Sequence, residues 1–293
     1  MRKLKKGFAY RIYEEEDGLF GFWAMAFSCQ SGEGWWVEEG KLLREDVLRV
    51  IGPVFEDDTV PKTGHDVKED MLKLHKNGVC LNGLRMDTMI AAYLLNPSKE
   101  TYTEDELAQI FLQETIASDD EVFGSGREKK KLPDLAEEQR AEYGASRAEI
   151  LRRVTEILEK ELENKGMTRL FQDIERPLIT VLASMEELGI RVDPAVLREF
   201  GQELDQNITV LQQRIMDAAG EEFNILSPKQ LGEILFEKLG LPAGKKTKSG
   251  YSTSADILEK LAPEYPVVQK ILDYRQMTKL KSTYADGLAG YIQ

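Results

Sequence analysis

Three short aromatic-rich runs open the chain and constrain what its first part can become. Gly7-Phe-Ala-Tyr-Arg-Ile-Tyr13, Phe20-Gly-Phe-Trp-Ala-Met-Ala-Phe27 and Trp35-Trp-Val37 are too short for independent helices. They are rich in the ring side chains that fill a pleated surface. Glu14-Glu-Glu-Asp-Gly18 and Gln30-Ser-Gly-Glu-Gly34 separate them with turn-forming residues. The spacing predicts a three-stranded antiparallel meander. A helix over 43–50, a Gly-Pro turn and a series of helices to about residue 115 are expected next. Residues 119–131 read as a charged loop, and helices resume over 132–163. Strands first, with helices to cover them, make an α/β domain.

The pattern breaks at Asn164-Lys-Gly166, where a domain boundary is expected: residues 1–165 form the first domain and 166–293 the second. Thr168–Leu188 reads as a helix stopped by Gly189, followed by a strand-like Ile190-Arg-Val-Asp193. Pro194 suits the first turn of the next helix. Val196, Phe200, Leu204, Ile208, Leu211 and Ile215 then recur every three or four residues, which predicts one core-facing stripe over about 25 residues. The second domain is therefore mainly α-helical.

Composition excludes several classes of function. Two cysteines and two histidines supply neither a disulfide framework nor zinc-ligand spacing, and they make a His-dependent triad improbable. No apolar run is long enough to span a bilayer, and no signal peptide follows the basic start, so a reducing cytoplasm is the expected location. The net charge of −13 argues against a wholly basic nucleic-acid binder. It is unevenly spread. Residues 1–165 hold 24 basic and 34 acidic groups, whereas residues 224–284 hold ten basic and six acidic, a local net of +4. That reversal suits a surface facing a polyanion, although a few lysines on a helix are commonly just solvated.

Within the basic stretch, Ser227-Pro228 is a good N-cap and N1 pair for a helix ending at Gly240. Lys245-Lys-Thr-Lys-Ser-Gly-Tyr251 reads as a flexible basic loop. Thr253 and Asp256 are spaced as a capping box for another helix. Two helix starts with lysines between them would make a clamp for backbone phosphates. Every soluble helix needs a cap, so neither start is specific alone.

The same residues carry a resemblance. Phe223-Asn-Ile-Leu-Ser-Pro-Lys-Gln-Leu-Gly232, the loop with Tyr251-Ser-Thr-Ser-Ala-Asp256, and Tyr274-Arg-Gln-Met-Thr-Lys-Leu-Lys-Ser-Thr-Tyr284 resemble the thumb of bacterial family A DNA polymerases. Ile174-Glu-Arg-Pro-Leu178 and Met185-Glu-Glu-Leu-Gly-Ile-Arg-Val-Asp193 resemble the segment that opens the polymerase portion. More faintly, Met86-Asp-Thr-Met-Ile-Ala-Ala-Tyr-Leu-Leu-Asn96 resembles a helix of the 3′–5′ exonuclease domain. The resemblance implies a ribonuclease H-like, exonuclease-like α/β domain followed by a thumb. It implies duplex primer–template DNA as partner, held weakly and without sequence preference, by a monomeric, cytoplasmic, nucleoid-associated protein. Lys245, Lys246, Thr247, Lys248, Ser252, Thr253 and Ser254 become the implied DNA contacts, with Lys229, Lys279 and Lys281 as outer candidates.

The exonuclease chemistry of that family needs clustered carboxylates for two divalent cations. Arg11 and Tyr13 stand at the two acidic positions of its first motif. In Gly64-His-Asp-Val-Lys-Glu-Asp70, Asp70 keeps an acid while Asp66 takes the place of an asparagine. Tyr143-Gly-Ala-Ser-Arg147 keeps the tyrosine and exchanges the acid for Arg147. Three of four ligands are missing, so a vestigial domain without a metal site is expected. A register shift onto Glu14, Glu15 or Glu16 is the alternative, set against their reading as a solvated turn. The palm and fingers of the family lie downstream of Thr278-Lys-Leu-Lys-Ser-Thr-Tyr284, and the sequence ends at Gln293. A truncated polymerase is therefore expected, with no cofactor of its own and Mg²⁺ serving only the full-length parent. A working exonuclease and a stand-alone non-catalytic DNA-binding or interaction module are the competing readings.

Overall fold

The computed structural model of the chain describes residues 7–15, 21–40, 42–242, 246–247 and 250–292. It divides into two compact units, Met1–Gly189 and Ile190–Gln293.

The first unit is built on a five-stranded sheet in the order β3-β2-β1-β4-β5. β1 (Phe8–Glu15), β2 (Phe22–Ser28) and β3 (Trp35–Glu38) form the expected antiparallel meander. After α1 (Arg44–Glu56), the short strand β4 (Lys62–Gly64) pairs parallel to β1. α2 (Val67–Lys76) leads to β5 (Leu84–Asp87), which pairs parallel to β4. The sequence reading had helices here. Three- and four-residue strands show no alternation, and β4 is buried throughout although it reads Lys62-Thr63-Gly64, with the Lys62 ammonium on the Asp57 carbonyl. The 43–50 helix also runs further than expected, through Gly52-Pro53 to Glu56. Pro53 cannot donate to the carbonyl four residues back. Even so, the last turn is held by Phe55, which is fully buried in the core.

Strand alternation sorts β1 between two layers. Phe8, Tyr10 and Ile12 face a core shared with Trp23, Phe55, Met71 and Leu74. Ala9, Arg11 and Tyr13 point to the other face, which α6 (Glu137–Asn164) covers. Small residues let that helix come close: Ala24 and Ala26 lie fully buried in β2, and a Cβ on Gly144 would collide with the Trp36 ring. α3 (Thr88–Leu95) and α4 (Glu104–Leu107) complete a second core with α6, around Met86, Leu107, Val154 and Leu158. Inside the expected 119–131 loop, Ser118 caps a short helix α5 (Asp119–Phe123) through its Oγ.

A break at Lys165-Gly166 exists, with Gly166 at φ +67° closing α6. The helix beyond it nonetheless packs with the first unit. α7 (Thr168–Leu170), a π turn over Phe171–Glu175 and α8 (Arg176–Leu188) form one continuous helix. Ile179 and Ala183 of α8 enter the core beside β1, and Glu186 and Glu187 pair with Lys68 and His75 of α2. The chain turns at Gly189, whose φ of +67° suits a residue without a Cβ. Residues 190–193 are irregular rather than strand.

The second unit starts with α9 (Pro194–Ala219), capped by Asp193, which accepts from the Ala195 and Val196 amides at 2.8 and 3.4 Å. Only part of its stripe is core: Leu204 and Ile215 are buried, whereas Val196 and Phe200 are exposed. α10 (Pro228–Gly232) runs on as a π-helical segment to Lys238, and a two-residue ladder joins β6 (Lys246–Thr247) to β7 (Gly250–Tyr251). α11 (Ala255–Leu261) and α12 (Pro266–Leu280) finish a core of Ile215, Leu231, Leu235, Leu258, Val268 and Ile271.

Candidate functional site

The sheet face under α6 brings the positions of the first unit together. Arg11 and Tyr13 project from alternate positions of β1, and Tyr143 and Arg147 lie one turn apart on α6. The Arg11 guanidinium is 5.7 Å from the Tyr13 ring centre, and the Tyr13 and Tyr143 rings are 5.8 Å apart. Beside them opens a cleft of about 510 Å³ lined by Arg11, Tyr13, Glu15, Lys73, Asp119, Phe123 and Tyr143.

Both arginines are already spent on partners within the fold. Arg11 Nε stands 2.9 Å from Glu104 Oε1, and its Nη1 donates to the His65 carbonyl. Burial opposes charge on both groups, yet Arg11, His65 and Arg147 together bring the Glu104 carboxyl down to about 2. Arg147, 2% exposed, donates from Nη2 to Asp119 Oδ1 at 3.0 Å and to the Ala117 carbonyl at 3.1 Å. Its guanidinium lies 3.5 Å over the Tyr143 ring centre, and the Tyr143 hydroxyl donates to the same Asp119 oxygen at 2.8 Å. Burial and the nearby Asp119 keep that phenol well above its ordinary range, Arg147 opposing.

Asp70 is 1% exposed and its Oδ2 has no hydrogen-bond partner among the described residues. Burial pushes its carboxyl up to about 7, although Arg11 and Lys73 pull the other way. Asp66 adopts φ +56° at the start of α2, and its amide donates to Asp87 Oδ1 at 3.3 Å. Asp87 also accepts from the amides of Val67, Met89 and Ile90, so it joins two helix starts. Among the described residues, no group of three or more His, Cys, Asp or Glu is arranged to hold a metal ion. Glu104, Asp119 and Asp87 escape a reading of the sequence. Each sits in the first turn or at the cap of a helix, where acids are routine.

The cations of the second unit are placed differently. Lys229 in the first turn of α10 and Lys279 near the end of α12 are exposed, with no ion pair among the described residues. Lys281, by contrast, pairs with Asp286 at 2.7 Å and Asp205 at 3.5 Å. Lys246 and Thr247 form β6, while Lys245 and Lys248 lie outside the described residues. Ser227 and Pro228 hold the N-cap and N1 positions of α10 as expected, without a side-chain capping bond. The Thr253–Asp256 capping box does not form. Ser254 is the N-cap of α11, and Thr253 is buried, its carbonyl and Oγ1 accepting from Arg275 at 2.6 and 3.3 Å. Ser252 is half-buried and Ser254 exposed. Arg275 went unnoticed in the sequence because a lone arginine within a helix carries no signal of burial.

Residues 194–293 match the family model of DNA polymerase family A, and residues 21–154 match that of the DNA polymerase I ribonuclease H-like domain. The two matches together are consistent with a fragment of a family A DNA polymerase. It is 44% identical over 232 residues to the DNA polymerase I of Geobacillus stearothermophilus, covering 79% of this chain and 26% of that protein. With the DNA polymerase I of Streptococcus pneumoniae serotype 4 it shares 42% identity over 97% of this chain and 32% of that one. Among solved structures it resembles the POL domain of Pol1 from M. smegmatis in complex with DNA primer-template and dNTP. That likeness has a TM-score of 0.81 at 28% identity, and covers 99% of this chain and 48% of that one. The chain thus spans about a quarter to a third of the length of the curated family A relatives it matches. No helix among the described residues is long and apolar enough to cross a membrane.

Proposed function

We propose that this chain supplies the duplex-gripping thumb and a non-cleaving exonuclease-like scaffold of a template-directed DNA polymerase working in replication and repair. The observation that carries the reading is the second unit: a match to the family A model whose Lys229 and Lys279 are exposed with no ion pair among the described residues. The relative solved with primer-template supports a duplex as partner. Contacts of lysine with backbone phosphate would hold DNA without reading its bases. With a net charge of −13 on the whole chain, binding is weak and non-specific, and the protein acts as a monomer in the bacterial cytoplasm, at the nucleoid.

The donor set of the first unit does not fit a pair of hard cations. Mg²⁺ requires carboxylate oxygens. Here Arg11 and Arg147 occupy two of the positions, Glu104 is committed to Arg11, and Asp119 to Arg147 and Tyr143. Nucleotidyl transfer with Mg²⁺ would belong to other parts of a full polymerase.

Duplex binding at low salt tests the grip. Wild type should lose affinity with a log–log salt slope of roughly −0.9 per phosphate neutralised, and the triple Lys245, Lys246, Lys248→Ala variant should show a shallower slope. Equal curves would reduce the loop to a solvated turn. A labelled single strand incubated with Mg²⁺ or Mn²⁺ should remain intact. Shortening that Asp70→Ala abolishes would mean that the exonuclease works.

A further inference from the structure

The Arg147 cluster does more than fill old ligand positions. Residues 117–132 run between the helical segment 108–112 and α6, and several of them line the cleft. They carry α5, closed by the Ser118–Glu121 capping box and by the Lys130 amide donating to the Phe123 carbonyl at 2.8 Å. Besides an ion pair of Lys131 with Glu15 of β1 at 3.7 Å, two things hold this segment down. One is polar: Asp119 and the Ala117 carbonyl on the Arg147 guanidinium, with the Tyr143 hydroxyl on the same carboxylate. The other is a small apolar contact, in which Phe123 stacks edge-on to Tyr143 at 5.0 Å and joins Leu132 and Leu135 in a cluster separate from the main core. Asp119 is half exposed, whereas Arg147 is buried. The anchor is therefore rigid and the segment that it holds is shallow.

We propose that residues 117–132 form a strap along the wall of the Tyr13–Tyr143 cleft that opens as a unit, its main latch the buried guanidinium of Arg147. Local opening draws on regions with few buried apolar contacts and exposed polar anchors, and this cluster has both features. The latch is cooperative, because one Asp119 oxygen accepts from both Arg147 and Tyr143, and the Tyr143 ring supports the guanidinium above it. Arg147 is thus the hook that holds the strap to α6.

Native-state hydrogen exchange of the full chain tests this. In wild type the amides of Glu121, Val122, Gly124 and Lys130 should exchange faster than those of the β1–β2 ladder and the middle of α6. Asp119→Asn removes the charge at an exposed position and should raise exchange of those four amides about tenfold, the size of one lost charge-assisted bond. Arg147→Met should raise it at least as much, with the β1–β2 ladder unchanged in both variants. Strap amides that exchange at the ladder's rate in wild type, or that do not respond to Asp119→Asn, would overturn the proposal. A rise spread equally over strap and ladder in Asp119→Asn would overturn it too, since the segment would then belong to the core.

Discussion

The two units use positive charge in opposite ways. In the first, Arg11 and Arg147 point inward and are neutralised by Glu104 and Asp119 at 2.9 and 3.0 Å. In the second, Lys229 and Lys279 point outward and meet no described counter-ion. Substituting an arginine for an acid under a helix costs little if the fold finds a carboxylate for it, since an unpaired buried charge is penalised far more than a paired one. An exposed lysine has no such need, and keeps its charge for an external anion. The difference explains how a domain can keep the shape of a catalytic fold with its metal chemistry proposed lost, while its neighbour keeps exposed cations for the DNA proposed as its partner.

The inward half of that contrast breaks most visibly at Glu104. Glu104→Ala leaves the Arg11 guanidinium without its carboxylate and should destabilise the first unit by about 3–5 kcal/mol. Replacing both residues with methionine should recover most of the loss, as measured by urea unfolding. If the single variant is no less stable than wild type, the pair is not neutralising anything.

Asp70 gives the next largest effect, with a definite sign in pH. In the unfolded chain an aspartate loses its proton near pH 4, while in the fold burial holds the group near 7. Between those values the folded state carries a proton that the unfolded chain has released, so stability falls as pH rises through the window. Asp70→Asn should remove that slope and stabilise the first unit above pH 7, by at most about 4 kcal/mol for a three-unit displacement. Melting temperatures of the two proteins from pH 4 to 8 decide it. Parallel curves would mean that Asp70 finds a proton-independent partner.

Much of the fold was legible in the residues. The aromatic runs and their turns specify β1 to β3, and the glycines at 166, 189 and 240 stop helices at positive φ. What escaped was non-local. β4 and β5 are too short to show a period, and Pro53 advertises a turn that a buried Phe55 overrides. Residues 168–188 look like the start of something new, because sequence shows where a helix ends but not which core the next one joins. At the site, the residues at the motif positions could be read directly, but their partners in the fold could not. Glu104 and Asp119 lie 93 and 28 residues from the arginines they pair with, and only folding brings them together.

The smallest effect sharpens the comparison most, because it contrasts two lysines two positions apart. Lys279 and Lys281 lie at the same end of α12, and a sequence reading treats them alike. In the fold Lys279 is exposed without a counter-ion among the described residues. Lys281 is held between Asp286 at 2.7 Å and Asp205 at 3.5 Å, and these carboxylates raise its pKa. A lysine that must release two carboxylates to reach a phosphate gains little by moving, whereas a free one releases a counter-ion from the duplex at full value. Lys279→Ala should therefore flatten the salt slope of duplex binding by roughly 0.9, one phosphate contact. Lys281→Ala should leave the slope unchanged and act instead on the stability of the second unit. Slopes measured from 20 to 200 mM salt separate the two. If Lys281→Ala flattens the slope as much as Lys279→Ala, pairing within the fold does not withhold a cation from DNA, and the contrast between the units fails at its simplest point.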